Sequence, residues 1–325
     1  MPEILVTGGS GFIGGALLRR LVADGRPVRA LARSQDAAEA IAASGAEPVP
    51  GDLADDRSLR EAAAGCRVVF HVGGLNGTCL RDPSRLDRVN VDGTRAVVRA
   101  AAAVGVERIV YTSSAATIGE RAGTVGTETT VHCGKYVTEY ARSKHLAEMA
   151  AFEDAAKLGV ELVALNPSSV QGPGRVEGTA RLLIAYVRGR LRWFVDTRLS
   201  LVSIGDTVEA HLLAATRGVP GERYLVSGWS GGMDDALALL GRAAGVESPV
   251  RQIPGWVLAI GATMLGGAYR ALGRDAPVCR EAARTLRHGH LIDGSKAERD
   301  LGLRYTPPEV WLAETVEWYR TEGWV

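Results

Sequence analysis

Short apolar runs alternate with longer amphipathic stretches over the first half of the chain. Ile4-Leu5-Val6-Thr7 is the first run, and its unbroken apolar character predicts a strand buried on both faces. A glycine-rich turn, Gly8 to Gly14, follows, and then a helical pattern from Gly15 to Leu21. Further strands are expected at Val28–Ala32, Glu47–Val49, Val68–Val72, Arg108–Thr112 and Leu162–Leu165. Helical periodicity fills the gaps at Arg57–Ala64, Gly93–Val104 and Tyr140–Leu158.

Repeated strand–helix alternation with right-handed crossovers predicts an α/β fold, a Rossmann-type doubly wound parallel sheet. Beyond residue 166 the rhythm breaks. Gly172-Pro173-Gly174 marks a loop, Arg181–Arg192 reads as a helix, and Leu201–Ile204 and Tyr224–Val226 read as strands that rejoin the sheet region. The remainder is mostly helical. The expected division is a dinucleotide-binding domain over 1–166, rejoined by 200–226, and a smaller substrate-binding part over 167–199 and 227–325.

The glycines at 8, 11 and 14 stand where a chain must turn tightly, approach a pyrophosphate and seat a helix on a strand. The helix start offers unpaired N–H groups and a partial positive charge to phosphate. A dinucleotide is therefore the expected ligand. The second strand ends in Ala32-Arg33. An acid at that position would accept ribose hydroxyls, whereas an arginine suits a 2′-phosphate. NADP is the cofactor expected, with NAD the less favoured one.

Tyr140 and Lys144 are four residues apart on a predicted helix and share a face. A nearby cation favours the phenolate and would lower the phenol's pKa, fitting it for proton transfer to or from a reacting oxygen. Ser114, in Tyr111-Thr112-Ser113-Ser114-Ala115, lies at the carboxyl edge of a predicted strand, where a hydroxyl can position that oxygen.

Taken together and in order, Thr7 to Gly14, Gly51-Asp52-Leu53, Asn90-Val91-Asp92-Gly93-Thr94, Tyr111 to Ser114, Tyr140 to Lys144 and Asn166 to Gly174 resemble the extended short-chain dehydrogenase/reductase family. The chain is similar to reductases of the dihydroflavonol reductase type and to the hopanoid-associated sugar epimerases. The resemblance implies that Gly8, Ser10, Gly11, Phe12, Ile13 and Gly14 meet the pyrophosphate and that Asp52 and Leu53 flank the adenine. Val72, Gly73 and Gly74 would run along the cofactor, joined by Thr112 and Ser113, while Pro167 and Val170 border the nicotinamide. Ser114, Tyr140 and Lys144 would be catalytic, Lys144 also holding the nicotinamide ribose. Family dehydratases carry acids after the catalytic hydroxyl; Ala115-Ala116 stand here, so dehydration is not expected.

The leading expectation is a reductase of ketones or aldehydes acting on a partly hydrophobic small molecule. The apolar stretch 252–269 and Trp193-Phe194 would supply a substrate wall. The alternative is an NAD-dependent sugar-nucleotide epimerase, with Arg181, Arg188, Arg190, Arg192 and Arg198 available to a diphosphate. A non-catalytic nucleotide sensor would typically lack the tyrosine or lysine, and both are present. His132-Cys133-Gly134 reads as a connector.

Charge and cysteine usage narrow the rest. A net charge of +1 over 325 residues provides no global field for nucleic acid or an anionic membrane. The cysteines at 66, 79, 133 and 279 show neither metal spacing nor a CxxC pair, which predicts a reduced, cytoplasmic protein. A strand beginning at residue 4 leaves no room for a signal peptide. Residues 252–269 carry no charge; a buried or pocket-covering helix is expected, peripheral attachment to a bilayer is the alternative, and insertion across a membrane is not expected. A homodimer is implied by the resemblance.

Overall fold

The computed structural model describes residues 3–247, 250–273 and 279–325. The strands in chain order are β1 (Ile4–Thr7), β2 (Val28–Ala32), β3 (Glu47–Pro50), β4 (Val68–His71), β5 (Arg108–Thr112), β6 (Val125–Gly126) and β7 (Glu161–Pro167). They continue as β8 (Ser169–Gln171), β9 (Trp193–Val195), β10 (Arg198–Ser203), β11 (Arg223–Val226), β12 (Trp229–Gly232), β13 (Arg251–Ile253) and β14 (Leu291–Ile292). The helices are α1 (Phe12–Ala23), α2 (Gln35–Ala43), α3 (Asp56–Ala63), α4 (Ser84–Leu86), α5 (Gly93–Ala103) and α6 (Glu139–Leu158). After them come α7 (Ala180–Val187), α8 (Ile204–Arg217), α9 (Met233–Ala244), α10 (Gly255–Ala271), α11 (Arg280–His288) and α12 (Pro308–Thr321).

A seven-stranded parallel sheet runs in the order β11-β7-β5-β4-β1-β2-β3. Its central strands are buried on both faces, as their continuous apolar runs require. One core joins α1 and α8 to one face through Leu17, Leu18, Val208 and Ala210. A second joins α3, α5 and α6 to the other through Leu59, Val97 and Ala151. Helix starts follow side-chain chemistry: Ser34, Asp55, Thr138 and Ser203 each accept a hydrogen bond from the first turn of the helix they precede.

Strand order reverses between β1 and β4, which opens a crevice at their carboxyl ends. Beyond β7 the chain builds smaller sheets. β11 extends the main sheet beside β7, whereas β10 pairs with β8 and β12 in a separate three-stranded sheet. A third core, with Leu240, Trp311 and Tyr319, holds α7, α9 and α12 together.

One expectation needs correction. Cys79 and Cys279 form a disulfide across 200 residues, so the chain is not fully reduced. No local spacing pattern could reveal a pair that only the fold brings together. The bond also removes cysteine usage as the ground for a cytoplasmic location. Among the described residues no helix is long and apolar enough to cross a membrane.

Candidate active site

The glycine turn is shaped by backbone contacts that exclude a side chain. Gly8 has φ +73°, and a Cβ there would come 2.7 Å from the Cα of Gly73. A Cβ on Gly14 would lie 2.1 Å from the carbonyl oxygen of Gly8. Gly11 precedes α1 without a side-chain cap, so the N–H groups of the first turn point into the crevice beside exposed Ser10 and half-buried Phe12 and Ile13. This cradle fits the diphosphate of a dinucleotide. Arg33 is exposed just after β2, at the same sheet edge.

On the opposite wall, the Gly73 N–H donates to Thr7 Oγ1 (3.0 Å), which also bonds His71 Nδ1 (2.8 Å). His71 Nε2 meets Thr94 Oγ1 at 3.0 Å. Burial, aided by the Lys144 charge, pushes the His71 pKa down to about 3, so the ring is neutral. Val72 and Gly73 are half-buried, and a Cβ on Gly74 would face Asn90 Oδ1 and Lys144 Nζ. Asp52 accepts the Ala54 N–H, and Leu53 packs toward Gly73 and Gly93.

Tyr140 and Lys144 lie in the first turns of α6, started by the Thr138 cap. Lys144 is buried, and its Nζ donates to the Thr112 carbonyl (2.8 Å) and to Tyr111 Oη (2.9 Å). Burial lowers its pKa to about 8, against a raising effect from Glu148. The Ser114 side chain is near enough to the Tyr140 phenol to lower its pKa. Ser114 and Tyr140 are thus neighbours, with Lys144 one helical turn beyond Tyr140 on α6.

The electrostatics differ from expectation. Burial raises the Tyr140 pKa, outweighing the lowering effects of Ser114 and of the nearby Arg175 charge. The Lys144 ammonium is turned to Tyr111 and Thr112. The cation beside the phenol is Arg175, from the loop after Gly172-Pro173-Gly174; its guanidinium also lies 5.4 Å over the Phe12 ring. Sequence reasoning marked that loop but missed the arginine, whose only signal was its place one residue past Gly174.

Several supports are equally long-range. Asn90 Nδ2 donates to Ser143 Oγ (3.0 Å) and to the Leu75 carbonyl, tying α6 to the loop after β4. Asn166 Nδ2 reaches the Ser114 carbonyl (3.2 Å) and Thr117 Oγ1 (2.9 Å). Thr112 Oγ1 is bonded to buried His211 (2.7 Å), so this residue meets the crevice through its backbone. Ser113 is buried, its N–H donating to the Leu165 carbonyl. Pro167 and Val170 are buried at the end of β7 and in β8. Glu281 of α11 accepts the N–H groups of Glu139 and Cys79, both at 3.1 Å, and so braces the start of α6.

Beside Glu139 lies a cavity of about 1020 Å³ whose wall includes Leu80, Arg81, Ala262, Arg284 and the two disulfide cysteines. From α10, Ala262, Thr263 and Gly267 contribute to that wall, whereas Trp256, Ile260 and Met264 do not. Trp193 does not; it is exposed, and Phe194 packs into the third core. His132 packs its ring against Gly119 and His145 and accepts the Gly134 N–H.

The model of the NAD dependent epimerase/dehydratase family matches residues 4–227. A Synechocystis protein with a provisional dihydroflavonol 4-reductase name is 32% identical over 98% of this chain and 95% of its own length. A 4-hydroxy-2-methyl-3-oxo-4-farnesyl-3,4-dihydroquinoline-1-oxide ketoreductase from Stigmatella aurantiaca is 33% identical over 91% of this chain and 90% of its own. The solved structure of gox2253 superposes with a TM-score of 0.87 at 30% identity, covering 100% of both chains. With the crevice, the glycine cradle and the Ser–Tyr–Lys cluster, these matches place the chain in the NAD-dependent epimerase/dehydratase family as an NAD(P)-dependent oxidoreductase of the extended short-chain dehydrogenase/reductase type.

Proposed function

We propose that the protein reduces a ketone or aldehyde with NADPH, or oxidises the matching alcohol. The observation that carries this reading is the Tyr140 phenol, set beside Ser114 at the start of α6 with Lys144 one turn further along, and kept protonated by burial. A neutral phenol is a proton donor, which is what a carbonyl oxygen requires as it becomes an alcohol. NADPH, when bound, supplies the hydride. Ser114 holds the carbonyl oxygen, and Tyr140 passes its proton to that oxygen as negative charge develops. Lys144 holds the nicotinamide ribose, and the glycine cradle with Phe12 and Ile13 holds the pyrophosphate. Arg33 pairs with the 2′-phosphate. The division into 1–166 with 200–226, and 167–199 with 227–325, is part of this reading.

The relatives' names support a carbonyl substrate, the Stigmatella protein's being a ketoreductase. The epimerase alternative needs cations facing a diphosphate. Arg181, Arg188, Arg190, Arg192 and Arg198 are all exposed and none lines the cavity beside Glu139, whose cations are Arg81, Arg280, Arg284 and Arg287. Replacing Tyr140 by Phe tests the proton relay. Turnover is expected to fall at least about a hundredfold, the scale of a lost general acid, with NADPH affinity within a few-fold of the parent. Activity within a few-fold of the parent would remove Tyr140 from the mechanism.

A further inference from the structure

The reaction leaves α10 unexplained. From Gln252 to Tyr269 the chain carries no charge. A surface helix ordinarily hides its apolar stripe and shows polar residues to water. Here Trp256 (64% exposed), Ile260 (54%) and Met264 (73%) recur every four residues along one side of α10. Val257 and Leu265 are exposed next to them, while Ala262 is buried and lines the cavity. A contiguous exposed apolar face of this kind marks a contact surface.

Arginines stand near the start of α10. β13 runs straight into α10 and pairs with β9, placing Arg251 opposite Trp193, itself 60% exposed. Arg190 and Arg192 precede Trp193 and are exposed, with the acid Asp196 at the far end of the same strand. α11 packs beside α10, and its Arg280, Arg284 and Arg287 are exposed at the mouth of the cavity that Ala262, Thr263 and Gly267 of α10 also line. The Arg287 stem approaches Gly255 at the start of α10. Glu281, the acid of α11, is turned inward onto two backbone N–H groups. Trp193 and the exposed Arg192, Arg251 and Arg287 thus gather near the start of α10, where its apolar face begins.

We propose that α10, Trp193 and the flanking arginines form a docking face for the surface of an anionic lipid bilayer. Apolar side chains would enter the acyl boundary, tryptophans sit at headgroup level and arginines meet lipid phosphates. α10 would lie in the interfacial plane, since no described helix is long and apolar enough to span. A second copy of the chain is the less suitable occupant. A two-fold contact across this face would set arginine rim against arginine rim. The chain's net charge of only +1 means that attraction would come from this local rim.

Flotation of the full chain with phosphatidylcholine vesicles, with and without phosphatidylglycerol, tests the proposal. The protein should float with the anionic vesicles and be released by high salt. Trp256→Ser with Ile260→Ser and Met264→Ser should weaken binding about tenfold or more. That variant should reduce a water-soluble aldehyde with NADPH at the parent rate. Brominated phosphatidylglycerol should quench tryptophan emission less in Trp256→Phe than in the parent, a check using a conservative change. A parent that ignores anionic vesicles, a triple variant that binds like the parent, or equal quenching would overturn the proposal. A parental dimer split by the triple variant, with no vesicle binding, would assign the face to a second copy.

Discussion

Tyr140 shows how much of a side chain's state lies outside its sequence spacing. Its spacing to Lys144 was legible because i and i+4 share a helix face whatever the tertiary structure. The state of its phenol was not. That depends on burial, on Ser114 from another strand end and on Arg175 from a loop, contacts that only the fold creates. Arg33 is the simpler case, since its place after β2 follows from strand length alone. We predict that Arg33→Asp lowers the preference for NADPH over NADH. The loss of a charge-assisted hydrogen bond is worth roughly 1.5–3 kcal/mol, or about tenfold to a hundredfold in the ratio of kcat/KM values. An unchanged ratio would mean that Arg33 does not contact the 2′-phosphate.

At the scale of elements, β1, β4 and α5 are joined by a buried chain of polar groups: Thr7, His71 and Thr94. The strands themselves were readable from apolar runs. Their linkage was not, because a histidine at a strand end reads equally as core or surface. His71 has a folded pKa of about 3 and His211, in α8, of about 4, both lowered mainly by burial. Above the ordinary imidazole value of 6.5 both rings are neutral folded or unfolded and add no pH dependence. Below it the unfolded chain binds protons that the folded chain refuses, so stability falls with falling pH. Each ring removes about 1.4 kcal/mol per pH unit until its folded pKa is reached. Urea unfolding from pH 7 down to pH 4 should show this, with His71→Gln losing one ring's share of the slope. An unaltered slope would show that His71 takes up its proton in the folded state. The elements beyond β7 were harder to read. β8, β10 and β12 are short, and the first two are parallel neighbours separated by a long excursion of chain.

Across the whole molecule, the N-terminal half was legible because alternating strands and helices leave few topologies open. The closing contacts of the C-terminal part were hidden in sequence distance. Cys79–Cys279 is the clearest instance, joining the loop after β4 to α11 beside the brace that Glu281 forms on α6. Thiol titration of the unfolded, unreduced protein should therefore find two thiols, those of Cys66 and Cys133, with four after reduction. Four before reduction would mean that the bond does not form. The proposed reaction is a carbonyl reduction driven by NADPH at Ser114, Tyr140 and Lys144. Consumption of NADPH and NADH, measured side by side against aldehydes, ketones and sugar nucleotides, tests it most directly. Turnover of a carbonyl compound with NADPH well above NADH is the result this account predicts. Silence with both cofactors, with NAD retained on the purified protein and sugar nucleotides interconverted, would contradict it.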